Sequence, residues 1–261
     1  MNIKMIATDL DDTLLRSNNA MSDYTISVLE KCRAKGIKLV YATARDRRRS
    51  ISIPLLSELF DGFVCDNGAT AYAGSTLIYS KAISTKDLRD LLVAADSAGV
   101  KITANCDGIY YANFNVLEKC AWLGLKSYKH ADFNTLDVKA ENFLVIAETP
   151  EESEIAEFTI KKHLPRDLDL LIREKSSLMV ILHKETIKSK GLAPLAQHWG
   201  IKASEIAAFG DDVIDIDLLE YCGIGVAVSN ASDEVKAVAD YICESNDNDG
   251  VARWLEGHIE L

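Results

Sequence analysis

The sequence is poor in the features that mark fibrous, membrane-spanning and metal–thiolate proteins. Its 261 residues include only 4 Pro and 14 Gly, which excludes a collagen-like or low-complexity chain. No apolar run reaches the roughly 18 residues that a membrane span needs. No two of the 6 cysteines form a CxxC pair, and the 5 histidines lack HxxxH spacing, so a zinc site is disfavoured. A hydrophobic share of 48% then indicates an ordinary globular protein.

Positive charge is also scarce, with 29 Lys and Arg against 40 Asp and Glu and a net charge of −11. An acidic surface repels phosphate backbones, so we do not expect a nucleic-acid partner, and the lack of a long apolar run argues against a membrane partner. The acidic net charge does not exclude a small anionic substrate, because a local metal ion or basic residue can outweigh the global charge. The first nine residues reach an acidic residue too early for a signal peptide, and scattered cysteines are usually reduced core residues, so we expect a cytoplasmic protein.

Strand and helix patterns alternate at both ends of the chain. Apolar runs at 3–8, 37–42 and 63–65 predict strands, and helical spacing follows the first two. The pattern returns from a helix predicted at 192–199 onward, which indicates a parallel α/β sheet. The middle reads instead as helices and hairpins. We therefore predict a core made of 1–82 and 186–261, interrupted by an α+β insert at 83–185.

Carboxylates follow the first predicted strand directly, in the segment Asp9-Leu10-Asp11-Asp12-Thr13-Leu14. The carboxyl ends of parallel strands form the binding crevice of such sheets. Two like charges at Asp9 and Asp11 need a reason to converge, such as a divalent cation or a shared proton. The alternative is a solvated turn followed by a helix cap.

Three further polar segments have the same character. They are Thr43-Ala44-Arg45, which suits a small anion site; Lys190-Gly191, which offers a cation; and Gly210-Asp211-Asp212-Val213-Ile214-Asp215, which suits a hard metal ion. Each alone also fits a helix cap or a surface residue. Together they supply a nucleophile, an acid, an anion cradle, a cation and metal ligands, which are the parts needed for metal-assisted phosphoryl transfer.

With these segments in this order, the chain resembles the haloacid dehalogenase-like (HAD) phosphohydrolases, and within them the Cof-type phosphatase branch, over nearly its whole length. Three further stretches share the likeness: 66–69, 225–231 and 246–251. The resemblance implies a Rossmann-like parallel-sheet core with an inserted α+β cap domain that carries substrate specificity.

The resemblance also implies catalytic roles. Asp9 would be the nucleophile that becomes an aspartyl phosphate, and Asp11 the general acid that later acts as base. Thr43 and Lys190 would bind the transferring phosphoryl group, and Asn230 would contact the phosphate side.

A magnesium ion is implied as cofactor. Asp9, the backbone carbonyl of Asp11, and Asp211 would hold Mg²⁺, while Asp215 would support the metal or Lys190. Two positions depart from the pattern of the branch: Ala44 replaces a usual Gly, and Ile214 replaces a usual Asn. We expect Ala44 to be tolerated if its φ stays negative, and Asp212 or Asp217 to compensate for the lost Asn.

The expected function is a Mg²⁺-dependent phosphatase acting on a small phosphorylated metabolite, such as a sugar phosphate, as a monomer or homodimer. A phosphosugar mutase and a catalytically weak phosphate-binding regulatory protein remain as alternatives. Within the insert, candidate substrate contacts are His130, His183 and Arg173. Trp122 and Tyr128 are expected to be packing residues.

Overall fold

The computed structural model describes residues 2–173 and 177–260 and divides into two compact units. The core unit comprises Met1–Ser80 and Thr186–Leu261, and the inserted unit comprises Lys81–Glu185. Within the described ranges, none of the helices combines the length and apolar character that a bilayer crossing requires.

The first part of the core unit starts with a short apolar strand and ends in a hairpin. Its elements are β1 (Met5–Thr8), α1 (Asp23–Ala34), β2 (Lys38–Ala42), α2 (Arg47–Ile51), α3 (Leu56–Leu59), β3 (Gly62–Cys65), β4 (Thr70–Ala73) and β5 (Thr76–Ser80). Helix α1 begins where the Ser22 side chain accepts a hydrogen bond from the Thr25 N–H and ends before Gly36, whose φ is +82°.

The inserted unit is built mainly from antiparallel strands and two longer helices. Its elements are β6 (Ile83–Ser84), α4 (Arg89–Ser97), β7 (Lys101–Cys106), β8 (Ile109–Ala112), α5 (Val116–Lys119), β9 (Lys129–His130), β10 (Lys139–Ala140), β11 (Asn142–Ile146), α6 (Pro150–His163), β12 (Leu168–Arg173) and β13 (Leu178–His183). The sequence predicts strands at 170–173 and 178–183 joined by a link at 174–177, and residues 174–176 of that link lie outside the described part.

The chain then returns to the core unit. The remaining elements are α7 (Lys188–His198), β14 (Ile206–Gly210), α8 (Ile216–Tyr221), β15 (Ile224–Val228), α9 (Asp233–Val238), β16 (Tyr241–Cys243) and α10 (Gly250–His258).

The core unit contains an eight-stranded sheet in the order β16-β15-β14-β1-β2-β3-β4-β5. The first six of these strands pair in parallel, and β4 and β5 add an antiparallel hairpin at one edge. Strands β1 and β14 are buried along their whole length, as expected for central strands covered on both faces. The hairpin is absent from the sequence-based prediction.

The inserted unit has a six-stranded sheet in the order β12-β13-β11-β7-β8-β9, with a separate two-stranded β6–β10 pair. All neighbours in the larger sheet are antiparallel except β8 and β9. Helix α6 shows why the sequence folds locally as it does. Thr149 caps its first turn, Pro150 occupies the first position, and basic residues fill its last turn. The alternation of α/β core and α+β insert therefore agrees with the expected fold class.

Candidate functional site

The polar segments lie at one edge of the core-unit sheet. Asp9 directly follows β1, Thr43 directly follows β2, and Asp211 directly follows β14. These three strands are neighbours and run parallel, so their carboxyl ends meet at the same edge. Backbone pairing fixes the position of the first residue, because the Asp9 N–H donates to the Phe209 carbonyl at 2.9 Å.

A buried ammonium group lies between two carboxylates at this edge. The Nζ of Lys188 is 2.6 Å from Asp9 Oδ1 and 2.5 Å from Asp215 Oδ1. The side chains of Lys188 and Asp215 are each only 1% exposed, and that of Asp9 is 10% exposed. Asp215 is held in turn by its other oxygen, which accepts hydrogen bonds from the N–H groups of Asp211 and Asp212 at 3.1 Å each.

Asp211 completes a group of three carboxylates. Ligand oxygens of Asp9, Asp211 and Asp215 all lie within 4.8 Å of one another. The Thr13 hydroxyl donates to Asp211 Oδ1 at 2.5 Å and fixes its orientation. Carboxylate oxygens gathered in this way are the donor set that a hard divalent cation prefers. Thr13 was not identified as a site residue in the sequence, although it belongs to the first motif.

The electrostatics of this cluster favour added positive charge. Burial raises the pKa of Asp9 to about 8; the Lys188 ammonium opposes this increase by more than the carboxylates of Asp215 and Asp211 add to it, but does not cancel the effect of burial. Burial also raises the pKa of Asp211 to about 6. Burial lowers the pKa of Lys188, but Asp9 and Asp215 outweigh that effect and hold it above its usual value. The ammonium therefore stays charged, and the carboxylates remain undercompensated.

Asp11 faces a different partner. Its two carboxylate oxygens accept hydrogen bonds from Arg45, one from Nε at 2.9 Å and one from the terminal nitrogen at 2.5 Å. The Arg45 N–H also donates to the hydroxyl oxygen of Thr43 at 3.1 Å, and the Thr43 side chain is fully buried. Ala44 has a negative φ, which meets the condition stated for tolerating a residue other than Gly at this position. Arg45 thus joins two predicted site residues, a role that its sequence position alone did not indicate.

The lysine of the site is Lys188, which corrects the prediction of Lys190. Helix α7 begins at Lys188, four residues before the predicted start at 192. Residues two apart in a helix differ in direction by about 200°, so the two lysines point to opposite faces. Lys190 is accordingly exposed, whereas Lys188 contacts Asp9.

Asn230 supports the first motif through the main chain. Its side-chain amide donates to the Asp12 carbonyl at 2.7 Å, and its amide oxygen accepts from the Asn246 N–H at 3.1 Å. Asp12 has a φ of +56°, an uncommon conformation for a residue with a side chain. Asn246 in turn donates to the Leu15 carbonyl at 3.0 Å. The predicted contact of Asn230 with phosphate stays a prediction.

The candidate residues of the inserted unit have varied environments. His183 is half-buried, and its Nδ1 accepts from the Glu185 N–H at 3.1 Å, whereas His130 is exposed. The side chain of Arg173 lies outside the described part. Tyr128 packs against an apolar cluster, as expected. Trp122 is 54% exposed, so the expectation that it is a packing residue is wrong.

Comparison with known proteins identifies relatives along the whole chain. A family model described as haloacid dehalogenase-like hydrolase matches residues 6–255. The 5-amino-6-(5-phospho-D-ribitylamino)uracil phosphatase YitU of Bacillus subtilis is 26% identical, with 98% of both chains covered. A haloacid dehalogenase-like hydrolase structure from Bacteroides thetaiotaomicron has a TM-score of 0.84 at 24% identity, covering 98% of this chain and 99% of that one. The HAD subclass IIB sugar phosphatase BT4131 has a TM-score of 0.76 at 25% identity, covering 97% and 98%.

Proposed function

This chain belongs to the haloacid dehalogenase-like hydrolase family, and from that premise we propose that it is a Mg²⁺-dependent phosphatase of small phosphomonoesters. The observation that carries the proposal is the group formed by Asp9, Asp211 and Asp215 around the buried ammonium of Lys188. Such a group combines a nucleophile, a cation and metal ligands at one strand edge, which metal-assisted phosphoryl transfer requires.

The residues present fit a magnesium ion. Three carboxylates face one ammonium, so the cluster carries a net negative charge that a divalent cation would neutralise. Asp9 and Asp211 would hold the ion through oxygen, as Mg²⁺ prefers, with the backbone carbonyl of Asp11 as a further ligand. When bound, the ion supplies positive charge that shields the nucleophile from the phosphate dianion.

The first half of the reaction transfers the phosphoryl group to the protein. A carboxylate oxygen of Asp9 attacks phosphorus, the bond from phosphorus to the ester oxygen breaks, and an aspartyl phosphate forms. Lys188 and Thr43 stabilise the negative charge on the transferring oxygens. Asp11 gives a proton to the departing alcohol oxygen. Because both Asp11 oxygens bond to Arg45, one of these bonds must open before the proton is delivered.

The second half releases phosphate. Asp11, now a carboxylate, takes a proton from a water molecule whose oxygen attacks the phosphorus of the aspartyl phosphate. The bond between phosphorus and the Asp9 oxygen breaks, inorganic phosphate leaves, and Asp9 returns to its carboxylate form. Splitting one difficult displacement into two easier ones is the advantage of the covalent intermediate.

The substrate class follows from the relatives that have specific names. YitU acts on a phosphorylated ribitylamino compound, and BT4131 is a sugar phosphatase. Both names describe phosphate esters of a chain or ring with several hydroxyl groups. We therefore assign this chain to sugar or polyol phosphates, with the inserted unit as the part that selects among them. Six free cysteines support a cytoplasmic location, where disulfides are rare.

Release of phosphate from p-nitrophenyl phosphate, with and without Mg²⁺, tests the proposal. We expect Mg²⁺-dependent hydrolysis that Asp9→Asn abolishes. Asp12→Asn is the matched control, because Asp12 is an exposed neighbour and Asn tolerates its positive φ. Equal loss in both variants, or hydrolysis that survives Asp9→Asn, would refute the assignment. With a hexose 6-phosphate, formation of the 1-phosphate isomer instead of free phosphate would identify a mutase.

A further inference from the structure

The first turn of helix α7 has an electrostatically unfavourable composition, because it places a lysine at the positive end of the helix. Lys188 is its first residue, Ile187 at the N-cap offers no side-chain acceptor, and the first turn has no acidic residue. The N-terminus of a helix exposes unpaired N–H groups and bears partial positive charge. A lysine is therefore unfavourable at this position unless carboxylates from elsewhere compensate.

One such carboxylate binds the backbone next to Lys188. Asp217, in the first turn of α8, accepts a hydrogen bond through Oδ2 from the Ser189 N–H at 2.7 Å. Asp217 is partly buried, which strengthens a charge-assisted hydrogen bond. It therefore caps α7 from another helix, in place of the acceptor that Ile187 lacks.

Gly68 packs closely against the backbone of Ile187 and Lys188. A Cβ atom added to Gly68 would lie 2.0 Å from the Ile187 carbonyl oxygen and 3.1 Å from the Lys188 nitrogen. Gly68 itself has a φ of +101°. The backbone of residues 187–189 is thus bounded by a close contact and tied by a hydrogen bond, while the Lys188 ammonium is held between Asp9 and Asp215.

The sequence offered Asp212 and Asp217 as substitutes for the missing Asn at Ile214. The Asp212 carboxylate accepts from the Val213 N–H within its own loop, whereas Asp217 reaches α7. We infer that Asp217 is a positioning residue for the proposed phosphatase reaction: it fixes the start of α7 so that the Lys188 ammonium faces Asp9. This inference rests on the proposed function.

Acylation by N-hydroxysuccinimidyl acetate, read lysine by lysine by mass spectrometry, reports the position of Lys188 without any need for turnover. In the native chain Lys188 should label far more slowly than exposed Lys190. We expect Asp217→Ala to speed labelling of Lys188 and to lower kcat for p-nitrophenyl phosphate, each by about tenfold, the effect of losing one hydrogen bond to a charged group. Asp217→Asn keeps an acceptor oxygen, so it should retain most of the native protection of Lys188 and most of the native kcat.

Asp240→Ala is the matched control. Asp240 also accepts one backbone N–H, that of Gly225 at 2.8 Å, and it lies at the opposite end of β15 from Asn230. It should leave Lys188 labelling and kcat unchanged. Should Asp217→Ala not fold, Asp217→Ser takes its place. The shorter serine side chain also loses the hydrogen bond to the Ser189 N–H, so the same result is expected.

Two outcomes overturn the inference. In the first, Lys188 stays protected from acylation in Asp217→Ala. In the second, Asp217→Asn loses as much protection of Lys188 and as much kcat as Asp217→Ala. Failure of the proposed function is distinguishable, because a native chain without phosphatase activity refutes that function while labelling still shows whether Asp217 positions Lys188.

Discussion

Replacing Lys188 and Lys190 separately by Met distinguishes the buried lysine from its exposed neighbour. Met retains most of the length of the lysine side chain but removes the ammonium group, with its charge and its N–H donors. In Lys188→Met, a buried ammonium that contacts Asp9 at 2.6 Å and Asp215 at 2.5 Å is lost. In Lys190→Met, an exposed side chain of the same helix changes.

The structure sets the size of both effects. Removing one preorganised donor to a developing oxyanion costs about 10²- to 10³-fold in kcat, so we expect a loss of that order for Lys188→Met. Removing one partner of a buried ion pair also destabilises the fold by about 3–5 kcal/mol, because uncompensated carboxylates remain. A substitution at an exposed position usually changes the free energy of unfolding by no more than about 0.5 kcal/mol. A change of that size in the activation free energy would keep the kcat of Lys190→Met within about twofold.

Steady-state hydrolysis of p-nitrophenyl phosphate and thermal unfolding of both variants provide the assay. The melting temperature of Lys188→Met should fall in metal-free buffer and recover in part when Mg²⁺ is added, because the ion offsets the remaining carboxylates. This recovery separates the loss of a catalytic group from simple misfolding. A larger kinetic loss in Lys190→Met than in Lys188→Met would refute the reasoning.

Three further predictions address other parts of the site. Asp11→Asn should lower the single-turnover rate of leaving-group release from an alkyl phosphate by about 10²- to 10⁴-fold and from p-nitrophenyl phosphate by much less, since nitrophenolate leaves without a proton; comparable losses in this first step would argue against general acid catalysis. Burial raises the pKa of Asp211 to about 6, which favours its protonated form in the folded state, so Asp211 should contribute a downward slope to the melting temperature of the metal-free protein as pH rises from about 4 through 6. Asp211→Asn should remove that part of the slope, and an unchanged slope would contradict the assignment. Gly68→Ala should destabilise the protein by more than about 2 kcal/mol in urea unfolding, because its Cβ would meet the Ile187 carbonyl at 2.0 Å. Gly74→Ala, at φ +55° with open space around it, should cost only about 1 kcal/mol, and equal costs would show that the contact is unimportant.

Sequence patterns predicted β1, β2 and β3 well because these parallel strands are buried along almost their whole length. Strand β1 is wholly apolar except for Thr8 and is fully buried, so its pattern could not be mistaken for a solvated loop. The hairpin of β4 and β5 gave no such signal. Strand β5 lies at the sheet edge, and every residue of it is exposed or half-buried. An edge strand with so little burial lacks the periodicity on which strand prediction depends.

Local motifs located the carboxylates but could not choose between two lysines. Asp9 and Asp211 follow strand ends, and strand order brings them together. Lys188 and Lys190 differ by two positions at the start of one helix, and helix phase decides which of them is buried. That phase depends on where the helix begins, and residue propensities alone fix a helix end only within a few positions. Contacts between distant segments, such as Asp217 with Ser189, have no local signature.

The acidic net charge of the chain is compatible with its proposed anionic substrate because of how charges are arranged at the carboxyl ends of β1 and β14. Asp9, Asp211 and Asp215 against Lys188 give a net of two negative charges. Two like unit charges 4 Å apart repel by about 4 kcal/mol at an effective dielectric constant of 20, so a phosphate dianion would be rejected by this cluster alone. Binding one divalent cation first brings the cluster close to neutrality. We therefore expect ordered binding, in which phosphate affinity measured by titration rises steeply with Mg²⁺ concentration, and phosphate binding of equal strength in a chelator would show that the carboxylates do not control access to Asp9.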